Sequence, residues 1–116
     1  TYSDGSLGTC PKKPNCVSSF SEKDDPHYIE PLLDISLANL AEIDSFFKNC
    51  KRISVQENYR YYTCETNLFK FIDDVEILYF PTKKTLHYRS ASRVGHSDLN
   101  KNQTRIMELI LFLKER

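Results

Sequence analysis

Apolar side chains recur with two different periods along the chain, and each period predicts its own kind of element. Leu33, Leu37, Leu40, Ile43 and Phe47 return at helical spacing, with Asp34, Asn39, Glu42 and Lys48 between them. This is the pattern of an amphipathic helix lying on a core, and it predicts a first helix from about Leu33 to Asn49. From Arg52 to Val94 strand-forming residues dominate. Turn candidates around Asn58 and at Pro81-Thr82-Lys83-Lys84 divide them into four antiparallel strands, at about 52–57, 59–66, 73–80 and 85–93.

Register follows from the turns. Setting Phe80 opposite Thr85 brings Tyr79 to Leu86, Ile77 to Tyr88, Val75 to Ser90 and Glu76 to Arg89. A tight turn at Asn58 sets Val55 against Tyr62 and Ile53 against Cys64. The loop through Leu68 and Phe71 then sets Tyr62 beside Ile77 and Cys64 beside Val75. Most apolar side chains thereby share one face, which a one-residue slip would scatter onto both. The opposite face is expected to hold Thr63, Glu65, Asp74, Glu76, His87, Arg89 and Arg93.

After Gly95 come the capping candidates Ser97, Asp98, Asn100 and Asn102, and then Ile106, Leu109, Ile110 and Leu113 at helical spacing, which predict a second helix. Residues 1–31 carry Pro11, Pro14, Pro26 and Pro31 and no sustained period. The expected fold is α+β: a loop-rich N-terminal arm, 1–31, packed on a domain, 32–116, whose four-stranded antiparallel meander carries two helices on one face. With 116 residues in all, one core and a single domain are expected.

Composition narrows the function. Lys plus Arg and Asp plus Glu both total 16, so no long-range field attracts nucleic acid or anionic lipid. No apolar run approaches the roughly 20 residues of a membrane span. The chain opens Thr1-Tyr2-Ser3-Asp4-Gly5 without Met or an apolar h-region, as expected where a signal peptide is removed, and compatible with a lipid anchor upstream.

Cys10, Cys16, Cys50 and Cys64 form an even set with neither C-x-x-C nor zinc-finger spacing, which favours two disulfides over a metal site. Four thiols allow three connectivities, and four reduced thiols are the alternative. The strand register favours Cys50 with Cys64, because Cys64 points to the core face and Cys50 ends the first helix. Cys10 then joins Cys16. Disulfides point to an extracytoplasmic place: periplasmic, envelope-anchored or secreted.

Several segments resemble a known family. Cys10-Pro11-Lys12-Lys13-Pro14-Asn15-Cys16-Val17-Ser18-Ser19 is similar to the opening motif of domain-of-unknown-function family 1499, and His27, Ile29 and Pro31 fit the short motif that follows. Phe71-Ile72-Asp73-Asp74-Val75-Glu76 and Tyr88-Arg89-Ser90-Ala91-Ser92-Arg93-Val94-Gly95 resemble its central motifs, and Ser97-Asp98, Asn102 and Arg105-Ile106 continue the signature. The resemblance implies a bacterial exported or lipoprotein-like chain, or a plastid one, and carries no reaction or ligand. His96, where an aromatic residue is common in the family, and the pair Cys50 and Cys64 depart from the pattern.

Three constellations carry candidate chemistry. Glu76 opposite Arg89, with Asp74 diagonal to Arg89 and Arg93, predicts cross-strand ion pairs. A sharper reading has Arg89, Arg93 and Arg105 converging near the sheet end to grip a carboxylate or phosphate, with Asp74 and Glu76 orienting them. Ser90, Ser92, His87, His96, Asp73, Asp74 and Asp98 contain the residue types of a hydrolase, yet no nucleophile-elbow glycines flank either serine.

His27, His87 and His96 lack an i, i+4 partner, so no metal ligand set is assigned. Tyr59, Tyr61, Tyr62, Tyr79 and Tyr88 suit a sheet as well as they suit stacking. Asn102-Gln103-Thr104 matches a glycosylation sequon, and its plainer role is the start of a helix. The expectation is an exported, non-catalytic module without a cofactor, binding a protein partner or small anionic ligand at the arginines. A Ser/His/Asp hydrolase and a purely structural envelope protein are the alternatives.

Overall fold

The computed structural model describes residues 5–66, 70–95 and 100–115. Leu68, His96, Ser97 and Asp98 lie outside the described residues. In chain order the elements are β1 (Cys16–Ser18), α1 (Asn39–Phe46), β2 (Lys51–Gln56), β3 (Tyr59–Glu65), β4 (Ile72–Phe80), β5 (Thr85–Ser92) and α2 (Lys101–Lys114). The strands form one antiparallel sheet in the order β1-β5-β4-β3-β2.

The four-stranded meander is present, and a fifth strand extends it. β1 comes from the expected arm and pairs Val17 with Ser90 and Ser18 with Arg89. Tyr28 bridges to Ser18 and Leu32 to Leu86, so residues 16–32 run along the β5 side of the sheet. Leu7, 2% exposed, is buried with them. Ser18 fixes this stretch by donating its hydroxyl to the Gly8 carbonyl at 2.7 Å.

β4 and β5 pair in the expected register throughout, from Phe80 with Thr85 to Glu76 with Arg89. β3 sits two residues from the expected position, with Tyr62 opposite Val75 and Cys64 opposite Asp73. A shift of two preserves the facing of every side chain, so Tyr62 and Cys64 remain in the core. β2 differs more. Val55 pairs with Arg60, the register shifts between Arg52 and Ser54, and Ile53 and Val55 are 46% and 51% exposed. A bulge takes Ile53 out of the alternation, whereas Val55 keeps the facing of its partner Arg60 and is exposed because β2 is the edge strand.

The first helix is shorter than the spacing predicts. Leu32 exchanges both backbone hydrogen bonds with Leu86, the Ile35 amide donates to the Lys84 carbonyl, and Asp34 has φ of 61°. The backbone is thus pinned to the sheet edge, with a left-handed bend at Asp34, until Ser36, whose amide donates to the Asn39 side chain at 2.9 Å. Leu33 and Leu37, read as helix-face residues, are exposed. Leu40, Ile43 and Phe47 are buried as the spacing requires.

Both helices cover one face of the sheet. Leu40 and Ile43 of α1 and Ile106, Leu109 and Leu113 of α2 share one cluster with Tyr62, Val75, Ile77, Tyr79, Leu86 and Tyr88. Disulfides join Cys10 to Cys16 and Cys50 to Cys64, the second tying the end of the α1 segment to the sheet. Among the described residues no helix is long and apolar enough to cross a membrane.

Candidate functional site

Polar side chains gather on both faces of the sheet. Alternation along β4 and β5 turns Asp73, Ser90 and Ser92 towards the helices, and Asp74, Glu76, His87 and Arg89 outwards. Arg105 rises from α2 on the helix side. Its Nη2 donates to Asp73 Oδ2 at 2.8 Å, and its Nη1 donates to Asn102 Oδ1 at 2.8 Å and Ser90 Oγ at 3.0 Å. Ser90 donates to Asn102 Oδ1 at 2.6 Å, and Asn102 Nδ2 donates to the Asn15 carbonyl and Ser92 Oγ at 3.1 and 3.0 Å. Asp73, Ser90 and Asn102 are at most 1% exposed.

This network is a structural knot. It joins the segment before β1, β4, β5 and α2, and Arg105 offsets the charge of Asp73 where water is excluded. Its members come from the separate motifs quoted for the family resemblance. The sequon asparagine is consumed here: Asn102 is wholly buried inside α2, so the folded chain offers no acceptor for a glycan. Asn15 adds a donor bond from Nδ2 to the Gly95 carbonyl at 2.8 Å, while its Oδ1 is buried without a hydrogen-bond partner.

Arg93 lies on the outer face and clamps Asp74 with two parallel bonds, Nε to Oδ2 and Nη2 to Oδ1, both 2.9 Å. The Tyr61 hydroxyl donates to the same carboxylate at 2.5 Å. Burial alone would raise the Asp74 carboxyl, but the Arg93 and Tyr61 hydrogen bonds outweigh it and hold it below its ordinary value. Arg93 lines a cleft of about 520 Å³ with Lys51, Thr63 and Glu65.

Arg89 faces the same way and donates from Nε to the Thr9 carbonyl at 3.0 Å. Glu76, its cross-strand neighbour, accepts the Tyr59 hydroxyl at 2.7 Å and makes no ion pair with Arg89. The sheet therefore brings together four of the five expected site residues, Arg89, Arg93, Asp74 and Glu76. Arg105 is separated from them by the thickness of the sheet, because the face of α2 that carries it packs inwards.

Among the described residues no histidine meets Ser90 or Ser92, whose side-chain partners are Asn102 and, for Ser90, Arg105. His87 meets a serine that sequence reading missed: its Nδ1 lies 2.8 Å from Ser19 Oγ. The ring stacks on Phe20 at 4.3 Å, and burial, with a smaller contribution from Lys83, lowers its pKa. No carboxylate holds its other nitrogen among the described residues. Ser19 Oγ also accepts the Tyr88 amide at 3.0 Å, so it serves the β5 backbone. Signal for it was weak, because serines are frequent in loop-rich segments.

The tyrosines divide between core and outer face. Tyr62, Tyr79 and Tyr88 are buried, and their hydroxyls donate to Asp44, the Ile35 carbonyl and the Glu30 carbonyl. None of these three offers an open stacking surface.

Over residues 6–113 the chain matches the family described as protein of unknown function, DUF1499. No curated protein and no solved structure matches it. The matched span covers every residue of the buried network and of the outer-face cluster. This chain belongs to domain-of-unknown-function family 1499.

Proposed function

We propose that the domain is a non-catalytic binding module of an oxidising, extracytoplasmic compartment, and that it takes a small anionic ligand, or an acidic patch of a protein partner, on its outer face at Arg93 and Arg89. The observation that carries this reading is the state of Arg93. Its guanidinium is fixed by Asp74 and Tyr61 at the rim of a cleft that Lys51 also lines. A pre-oriented fork loses less freedom on binding than a free one. Asp74 acts as the orienting group, and Arg89 adds a second cation on the same face. Arg105 has no part in it. The two disulfides support the compartment.

The test is thermal unfolding in the presence of phosphate, sulfate or a dicarboxylate, with ionic strength matched by chloride. A ligand that binds the native state alone raises Tm in a saturable way. Arg89→Gln with Arg93→Gln is expected to abolish the ligand-induced amide shift changes at Lys51, Thr63 and Asp74 and leave the chain folded, since both side chains lie outside the core. Persistence of those local changes in this double variant overturns the reading.

A further inference from the structure

Away from the outer face, a cavity of about 340 Å³ opens between the Cys10–Cys16 loop, the turn at His27 and the start of α2. Its floor is Cys16 and Val17 of β1, and its walls carry Lys12, Lys13, His27 and Gln103. The walls are held together. The disulfide closes the loop, the His27 carbonyl accepts the Ser18 amide at 2.9 Å, and His27 Nε2 meets the Lys13 carbonyl at 2.8 Å.

Charge on the described lining of this cavity is one-sided. His27 Nδ1 faces Asp25 Oδ1 at 2.6 Å while Nε2 faces the carbonyl. Both ring nitrogens therefore face acceptors, and only the imidazolium can donate to both. That cation offsets Asp25, and among the described residues no carboxylate lines the cavity. None of the described lining residues opposes the fields of Lys12 and Lys13. The first turn of α2 contains no acidic residue and does contain Lys101, so no carboxylate in that turn offsets the partial positive charge of the helix's N-terminal end.

We propose that this cavity is an oxyanion site, taking a phosphate group or a similarly compact dianion between the ammonium groups of Lys12 and Lys13, with the Gln103 amide as a neutral donor. His27 acts as a positioning residue: its two hydrogen bonds are spent on Asp25 and Lys13, so it sets the lysine-bearing loop against the turn and does not itself grip the anion. The cavity is too small for a polymer and wide enough for one phosphate with a small substituent. This site is separate from the Arg93 cleft, shares no lining residue with it, and stands or falls independently.

Inorganic phosphate is titrated into the full chain at constant ionic strength, with Tm and amide chemical shifts as readouts. Saturable binding is expected, with shift changes at Lys12, Lys13, His27 and Gln103. Lys12→Gln with Lys13→Gln, both exposed, is expected to keep the fold and weaken binding on the order of tenfold or more, by loss of charge-assisted bonds. Arg89→Gln with Arg93→Gln, which acts on the outer face, is expected to leave the shift changes at Lys12, Lys13, His27 and Gln103 in place. Sedimentation with phosphatidylcholine vesicles containing phosphatidic acid tells a headgroup phosphate from a free one. Retention of these four shift changes in the lysine pair, their loss in the arginine pair, or no saturable change at these amides in the wild type overturns this site.

Discussion

Arg105 Nη2 meets Asp73 Oδ2 at 2.8 Å, and this contact crosses from the helical layer into the sheet. The Asp73 side chain is 1% exposed and that of Arg105 13%. Removing the cation strands a buried carboxylate and leaves Asn102 Oδ1 and Ser90 Oγ short of a donor. Arg105→Met is expected to destabilise the fold by about 3–5 kcal/mol. Adding Asp73→Leu is expected to recover part of that loss, because the uncompensated charge goes with it. Urea unfolding of the two single variants and the double variant checks this, and additive losses would show that the two residues do not act as a pair.

Ile77 and Val55 test the sheet from opposite sides of the core boundary. Ile77 is 0% exposed within the main cluster, whereas Val55 is 51% exposed on the edge strand. Ile77→Ala is expected to cost about 2–5 kcal/mol by lost transfer energy and the cavity left behind. Val55→Ala is expected to stay within about 0.5 kcal/mol, as surface changes do. Equal costs in denaturant melts would place Val55 in the core after all.

These two residues also show what was legible in the sequence. The β4–β5 register could be read because the Pro81–Lys84 turn is short and both strands alternate cleanly around it. Register at β3 slipped by two because the connection between Glu65 and Ile72 gives no length signal. Face assignments survived, since two is the strand period. At β2 the bulge removed Ile53 from the alternation, and Val55, though its facing is kept, is exposed on the edge strand. β1 is three residues long, too short for any period to register. The convergence of Arg105 with Arg89 and Arg93 failed for a related reason: motif spacing gives no rotation for α2 about its axis, and packing of Ile106 and Leu109 turns Arg105 inwards. The buried network was present as separate motif residues, but only the fold brings Asn15, Asp73 and Asn102 to one place.

His27 and His87 are expected to titrate on opposite sides of the ordinary imidazole value. Burial alone would lower the His27 pKa, but the bonds to Asp25 and the Lys13 carbonyl, with the attraction of Asp25, carry it above the ordinary 6.5. Burial, and then Lys83, hold His87 below the same value. The stabilisation from His27 is therefore fully present below about pH 6.5 and lost as pH rises through its folded pKa, while burial of neutral His87 favours the fold as pH rises. Ring-proton NMR titration checks the order of the midpoints. In melts across this range, His27→Gln is expected to remove the loss of stability at the upper end.

The two disulfides are expected to differ in what they hold. Intact protein should weigh about 4 Da less than its fully reduced form, two hydrogens per bond, and show no free thiol under denaturing conditions. Cys50 and Cys64 are 14 residues apart, and Cys64 is 3% exposed in the core. Loss of this link is expected to cost about 3 kcal/mol on the loop-entropy model. Because it joins the α1 segment to a central strand, Cys50→Ala with Cys64→Ala should lower hydrogen-exchange protection across β3, β4 and β5 together. Cys10 and Cys16 are 6 apart, and their link closes only the loop before the edge strand β1. Cys10→Ala with Cys16→Ala should therefore expose the amides of Val17 and Ser18 first, while those of Val75 and Ile77 stay protected. Uniform loss of protection in this second variant would mean that β1 unfolds only with the whole domain, and that the Cys10–Cys16 loop is as central to the fold as the core.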